Sequence, residues 1–346
     1  MTTEALERLL RGKTVLITGG GGSIGLEICR QVAEWKPARI VCLGRREEKL
    51  IAARDELRAR SPNVDLAAEV CDVRERGRLA SVFTTHRPTI VFHAAAKKDI
   101  RDAEAHPAEA VMVNVQGTVN VVDLALANDS AKLLFTSSTK AFQPVSVMGA
   151  TKRLGEMIVA AAAARSGKAF FTVRLSNIFK SSGGVHALFR RQIESGGPLT
   201  VTHPDAERTF VNADEAAHLL LEALVLEAKG SILALDAGEK TNIAELARRL
   251  IGAYGRGQRT GAEIEIEYVG LRRGERLVED ITLDGREWLP TSNEKIHVAG
   301  LDGASASEAG LEHSFQELVL LAQSGDSDAV LEQLRKTVPD YSPEAP

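Results

Sequence analysis

The chain has 346 residues, 44% of them hydrophobic and 26% charged, with a formal net charge of −4. That length allows one large or two modest domains of ordinary globular composition. The slight acidity argues against a general nucleic-acid binder, and no uninterrupted apolar run approaches the roughly 20 residues that cross a bilayer. Met1 to Lys13 is polar and mixed in charge, unlike a signal peptide. Thr14–Thr18 reads as a buried strand, followed by a glycine turn and a helix carrying Ile24, Ile28 and Val32 on one face. Arg39–Leu43 reads as the second strand, Glu47–Arg60 as a helix, and Val64–Val70 as the third strand. Thr89–His93 is the fourth, Ala105–Ala127 contains a long helix, and Ala131–Thr136 is the fifth. Val147–Ala164 is an Ala-rich helix and Ala169–Leu175 the sixth strand. This alternation predicts an α/β fold, a doubly wound parallel sheet of Rossmann type spanning residues 1–176.

After Ser176 the pattern loosens. Helices are expected near His186–Ser195, Ala213–Ala228 and Asn242–Ala253, between short strands. Residues 177–340 are expected to form a smaller C-terminal α/β substrate-binding domain, with some chain returning to the first domain. Pro339–Pro346 is expected to fray. Cys29, Cys42 and Cys71 sit singly, in no zinc or disulfide pattern, so no metal site is read and a reducing cytoplasm is the expected location.

The most informative segment is Thr18-Gly-Gly-Gly-Gly-Ser-Ile-Gly25, which has the spacing T-G-x-x-G-x-x-G between a strand and a helix. Gly19 permits the tight turn, Gly22 lets a pyrophosphate approach the backbone, and Gly25 lets the helix pack close to the sheet. N–H groups near Ser23 and Ile24 would face the phosphates. The second strand ends Leu43-Gly44-Arg45-Arg46 without a carboxylate for an NAD ribose. Arg45 and Arg46 suit an adenosine 2′-phosphate, which favours NADP over NAD. A solvated basic helix start is the alternative, and the helix dipole disfavours it. Asp72 could bind the adenine amino group or cap the helix that follows it.

Three further segments carry the chemistry: His93–Asp99, Thr136–Pro144 and Val147–Arg153. With the glycine loop, with Asn114-Val-Gln-Gly117, and with Gly197–Asp205 and Gly270–Glu275, the chain resembles the extended short-chain dehydrogenase/reductase superfamily. It is most similar to the polysaccharide-biosynthesis group of UDP-N-acetylhexosamine 4,6-dehydratases. The resemblance implies cofactor contacts at Val73, Ala94, Ala95, Ala96, Lys98 and Asn114. It puts Lys152 in the lysine slot beside the nicotinamide ribose and Ser138 in the hydroxyl slot.

Two positions depart from the resemblance. Met148 stands where the superfamily usually has tyrosine, and methionine cannot accept a proton. Lys140 is then the leading base, provided that burial and nearby cations lower its pKa. Thr139 stands where these dehydratases carry the Asp that protonates the leaving C6 hydroxyl. Asp99 could supply that carboxyl, or could simply cap the next helix. Three readings follow. The first is a 4,6-dehydratase that oxidises C4 with NADP. The second is a non-eliminating 4-epimerase or 4-keto reductase. The third is a catalytically silent protein that binds NADP(H) and a UDP-sugar.

By resemblance, Lys98, Asn177, Arg208, Arg272 and Glu275 contact the UDP-sugar, with Arg208 and Arg272 as partners for its phosphates. Pro198–Val201 is a further candidate to lie along the base. A homo-oligomer is expected through helices such as Ala105–Ala127 and Val147–Ala164. Longer relatives carry a membrane-spanning N-terminal region, which this form is expected to lack.

Overall fold

In the computed structural model, β1 (Thr14–Thr18) lies between parallel partners β2 (Arg39–Gly44) and, further along the chain, β4 (Ile90–His93). The described residues are 2–181, 183–226, 228–236, 238–254, 264–279, 288–299, 308–338 and 340–343. β3 (Asp65–Val70) extends the sheet beyond β2, while β5 (Lys132–Ser138) and β6 (Ala169–Leu175) extend it beyond β4. The order 3-2-1-4-5-6 reverses between β1 and β4 and opens a crevice at the strand ends. β1 and β2 are apolar because helices cover both faces, whereas β3, at the edge, buries only Leu66 and exposes Asp65 and Val70.

Past β6 the chain leaves the sheet through β7 (Asn177–Ile178), β8 (Leu199–Val201) and β9 (Glu207–Val211). It returns as β10 (Ile232–Leu235), parallel to β6. β11 (Glu239–Asn242) then pairs antiparallel with β9, and β12 (Ile266–Tyr268) parallel with β8. β13 (Trp288–Pro290) and β14 (Ile296–Ala299) finish the large sheet beside β10. The residues after Ser176 therefore contribute three strands to the large sheet as well as a separate lobe. That lobe has its own small core of Phe189, Ile193, Leu199, Val201, Ala247 and Leu250.

Several elements differ from the sequence expectation. The expected helix Ala105–Ala127 begins instead as Ile100–Ala105 and breaks at His106. It restarts with Pro107 at its first position and passes through a widened π turn, Met112–Gln116, before Gly117–Ala127. Pro107–Ala127 is 21 residues long, and its most apolar window has a mean hydropathy of 1.4. It is long and apolar enough to cross a membrane, contrary to the scan for unbroken apolar runs, which Asn114, Asn120 and Asp123 interrupt. Two-thirds of its most apolar window is buried inside the fold, so here it is a core helix.

Its outer side is covered by Glu308–Ser324 and Ser327–Thr337, two helices that the sequence reading did not name. Phe315, Leu318, Val330 and Leu334 join Val111, Val115, Ala150 and Leu154 in one core. Part of the apolar surface of the helices named for oligomerisation thus packs against the chain's own C-terminal helices. The tail is also anchored where fraying was expected. Tyr341 is buried and Ser342 N–H donates to the Pro144 carbonyl at 3.0 Å. Pro339 and residues 344–346 lie outside the described residues. Cys29 and Cys42 meet across the helix–sheet contact with sulfurs 3.2 Å apart, both buried as thiols.

Candidate active site

The glycine turn is built as its spacing requires. Gly19 has φ +71°, and a Cβ there would stand 2.9 Å from the Ala94 and Ala95 backbone. A Cβ on Gly25 would fall 2.2 Å from the Gly19 carbonyl oxygen, so only glycine lets the helix approach this turn. Gly22 N–H donates to Gly19 O at 2.8 Å, and the helix Ser23–Glu34 starts directly behind it. Its first turn, with Gly22, Ser23 and Ile24, lines the crevice at the strand ends, where a pyrophosphate fits.

A cavity of about 610 Å³ runs from this turn into the second lobe, within the range of cofactor and substrate pockets. Among the described residues, ten lysines and arginines line it against four carboxylates, in a chain whose net charge is −4. The excess cation is local, as an anionic ligand demands. Just past the end of β2, Arg45 and Arg46 are both exposed and line the cavity. Arg45 already faces a carboxylate, Asp72, at 3.6 Å. Asp72 does not cap the next helix, which starts at Arg76. It accepts instead from Arg74 N–H at 2.9 Å and from the Arg74 guanidinium at 2.7 Å. Burial pushes the Asp72 carboxyl up, but Arg74 and Arg45 outweigh this and hold it below the usual range.

Beneath the cofactor side lies a buried polar chain. Thr18 Oγ1 meets His93 Nδ1 at 2.7 Å, and His93 Nε2 meets Thr118 Oγ1 at 3.0 Å. Thr118 donates to the Asn114 carbonyl at 2.6 Å. The Asn114 side chain grips Lys97 through its backbone N–H and C=O, and donates to Thr151 Oγ1 at 2.9 Å. Asn114 thus shapes the loop after β4 from its π turn. Burial, helped by the Lys152 ammonium, lowers His93 to about 3, so this ring is neutral. Val73 and Ala94–Ala96 line the same wall of the cavity. Lys98 lines it too, its pKa lowered by burial and by the Lys49 ammonium, against which Asp99 pulls upward.

Lys152 and Met148 are buried on the helix Val147–Ser166 and line the cavity beside Ser138. Lys152 Nζ donates to the Thr136 carbonyl at 2.8 Å and sits 4.5 Å from the Phe135 ring centre. Burial lowers its pKa to about 8, with Glu156 opposing. Glu156, one turn along, is fully buried in a two-point pair with Arg174, both contacts at 2.8 Å, and accepts from Ser137 Oγ at 2.7 Å. This pair ties the helix to β5 and β6. Ser138 Oγ accepts from Lys140 N–H at 3.3 Å, at the head of a short turn.

The proton-transfer candidates are arranged differently from expectation. Thr139 is absent from the lining of the large cavity and borders a small pocket with Ser146, Gly274 and Arg276. Asp99 borders the large cavity, and its Oδ1 caps the helix Ile100–Ala105 through Asp102 N–H at 3.1 Å. The role of Lys140 as base was conditional on burial and nearby cations; its Nζ donates to a carboxylate, Glu279, at 2.6 Å, and to Asn177 Oδ1 at 2.9 Å.

Glu279 was not named from the sequence. It also lies 3.1 Å from Arg208 Nε, so one buried carboxylate joins three of the expected site residues. Burial raises its pKa, but Lys140 and Arg208 outweigh this and hold it below the usual range. Arg272 and Glu275 border the cavity in one turn, with Glu275 N–H donating to Arg272 O at 2.9 Å. Thr200 and Val201 border it as well, beside Phe210. Ser176 was also overlooked. It lines the cavity, and its Oγ is buried without a hydrogen-bond partner. The close backbone approaches at Gly19 and Gly25 fit a bound dinucleotide.

A doubly wound sheet with this glycine turn, a serine at a strand end, a lysine on the helix that follows and a second lobe over the crevice has the architecture of the extended short-chain dehydrogenase/reductase type. Comparison with known proteins narrows this further. The chain belongs to the polysaccharide biosynthesis protein family, whose model matches residues 15–300. It is 37% identical over 305 residues to the probable polysaccharide biosynthesis protein EpsC of Bacillus subtilis, covering 88% of this chain and 50% of that one. It is 38% identical over 309 residues to the capsular polysaccharide biosynthesis protein CapD of Staphylococcus aureus, covering 88% and 51%. The chain therefore spans about half the length of these relatives. Among solved structures it resembles Pen from Bacillus thuringiensis, with a TM-score of 0.76, 28% identity, and coverage of 89% and 98%.

Proposed function

We propose that this chain oxidises C4 of a UDP-N-acetylhexosamine with NADP, in the manner of a 4,6-dehydratase. One observation carries the reading. A single cavity is lined by the glycine turn, by Ser138 and Lys152, and by Arg208 and Arg272. That layout suits a dinucleotide and a sugar diphosphate meeting at their reactive ends. NADP, when bound, supplies the hydride acceptor.

Each residue then has a task. Lys152 would hold the nicotinamide ribose, and its pKa of about 8 suits it to exchanging a proton near neutral pH. Ser138 would hydrogen-bond the sugar oxygen being oxidised. Met148 walls off solvent at the position where a tyrosine would have transferred a proton. Arg208 and Arg272 would neutralise the diphosphate. Arg46 and the loosely paired Arg45 support NADP over NAD, because their exposed guanidinium groups flank the adenosine end.

A second reading, a 4-epimerase or 4-keto reductase, is favoured by Thr139, which is no carboxylic acid and is absent from the cavity lining. Product mass separates the two after incubation with NADP⁺ and UDP-N-acetylglucosamine. The first reading expects loss of one water; under the second, an unchanged mass with altered configuration at C4 marks an epimerase, and loss of two hydrogens with formation of NADPH marks a 4-keto reductase run in reverse. No conversion of any UDP-N-acetylhexosamine would sink both. Lys140→Ala is expected to abolish turnover while NADP still binds.

A further inference from the structure

We infer that Glu279 is a positioning residue, which places Lys140 and Arg208 together at the nucleotide-sugar end of the cavity; the inference rests on the function proposed above. The geometry is specific. Oε2 accepts from Lys140 Nζ at 2.6 Å and from Asn177 Nδ2 at 3.2 Å, while Oε1 lies 3.1 Å from Arg208 Nε. These partners come from the end of β5, from β7 and from β9, so one side chain registers both lobes. The carboxylate's own segment is fixed beside β9. Glu207 N–H donates to Leu277 O at 3.0 Å, and Arg208 Nη1 donates to the same carbonyl at 3.1 Å.

Depth sets the order of the groups. The Glu279 side chain is 6% exposed, against 16% for Lys140 and 13% for Arg208, and all three line the cavity. The carboxylate therefore sits behind two cations that front the ligand space. A buried carboxylate in that place has two opposite effects. It fixes the direction of each cation, which favours turnover through placement. It also offsets part of their charge, which weakens their static pull on a diphosphate. Binding strength is exchanged for geometry, as efficient catalysis prefers.

These opposed effects separate a positioning role from a merely structural one. In Glu279→Gln, kcat for the UDP-sugar is expected to fall about 100-fold, the usual cost of ångström-scale misplacement. UDP alone, titrated by calorimetry against the NADP-loaded protein, is expected to bind about three- to ten-fold tighter once the offsetting charge is gone. Glu279→Asp, which keeps the charge on a shorter stem, is expected to recover part of kcat and the wild-type UDP affinity. Two results would overturn the proposal: joint loss of UDP binding and turnover that aspartate does not relieve, or no change in either quantity. Should the wild type convert no UDP-sugar, the proposed function fails, and UDP alone decides the point. Tighter binding in Glu279→Gln then supports the charge arrangement, and an unchanged Kd refutes it.

Discussion

Replacing Lys152 by methionine is expected to stabilise the nucleotide-free protein at neutral pH, and the gain is expected to vanish as pH rises. The side chain is buried, and burial lowers its pKa from 10.5 to about 8. Below pH 8 the folded and unfolded chains both carry the charge, and the folded one bears its full desolvation cost. Between about 8 and 10.5 the folded chain has released a proton that the unfolded chain still holds, so wild-type stability rises through that window. At about 1.4 kcal/mol per pH unit, the wild type should gain about 3 kcal/mol on Lys152→Met between pH 7 and 10.5. Other titrating groups are common to both proteins and cancel in the difference. At pH 7 the variant forfeits the hydrogen bond to Thr136 O, worth about 1 kcal/mol, and so should be more stable by about 2 kcal/mol. Urea unfolding of both proteins across this pH range measures the gap. A gap that stays flat with pH, or a variant that is less stable at pH 7, refutes the reasoning.

The remaining predictions concern the framework and the cofactor. Glu156→Gln strips the buried Arg174 of its counter-charge and should cost about 3–5 kcal/mol in urea unfolding. A double replacement of Glu156 and Arg174 by methionine should recover most of that loss, and a single variant within 1 kcal/mol of wild type (roughly the value of an exposed pair) would contradict the burial argument. Gly25→Ala drives a Cβ against the Gly19 carbonyl and should weaken NADP binding about ten-fold or more while leaving UDP affinity intact. Fluorescence titration checks this, and equal losses for both ligands would point to general unfolding. Alanine at both Arg45 and Arg46 should reduce the preference for NADP over NAD about ten-fold or more. An unchanged ratio of dissociation constants would leave Arg45 as a partner of Asp72 alone.

The cofactor half was legible because its parts are neighbours in the chain as well as in space. The strand Thr14–Thr18, the glycine turn and the helix behind it follow one another without interruption, so spacing alone described their contact. The resemblance, rather than spacing, reached Ser138, Met148 and Lys152, which share a strand end and the start of one helix. It could not reach Glu279, which lies 139 residues from Lys140 and meets it only through the closure of the second lobe. Residue type at Thr139 was readable, but its direction was not, because a one-residue turn of the backbone at a strand end decides which cavity a side chain enters. The break at His106 was signalled by Pro107, a weak cue inside an otherwise periodic stretch. The C-terminal helices carry no motif, and their role as cover for Pro107–Ala127 depends wholly on tertiary contact.

The hydrogen-bonded chain through His93 has a further consequence. Thr118 donates to Asn114 O, so His93 Nε2 must be the donor to Thr118; its Nδ1 is then the acceptor from Thr18, whose oxygen takes the Ala95 N–H at 3.2 Å. Every donor points the same way, from the cofactor loop toward the helix at Asn114. Reversing any one would orphan the next, so the imidazole is locked as a single tautomer and cannot pass protons along. Its use is instead that of a frozen dipole under the site, whose orientation is settled during folding. No solvent-like rearrangement of this layer is then needed as charge moves above it.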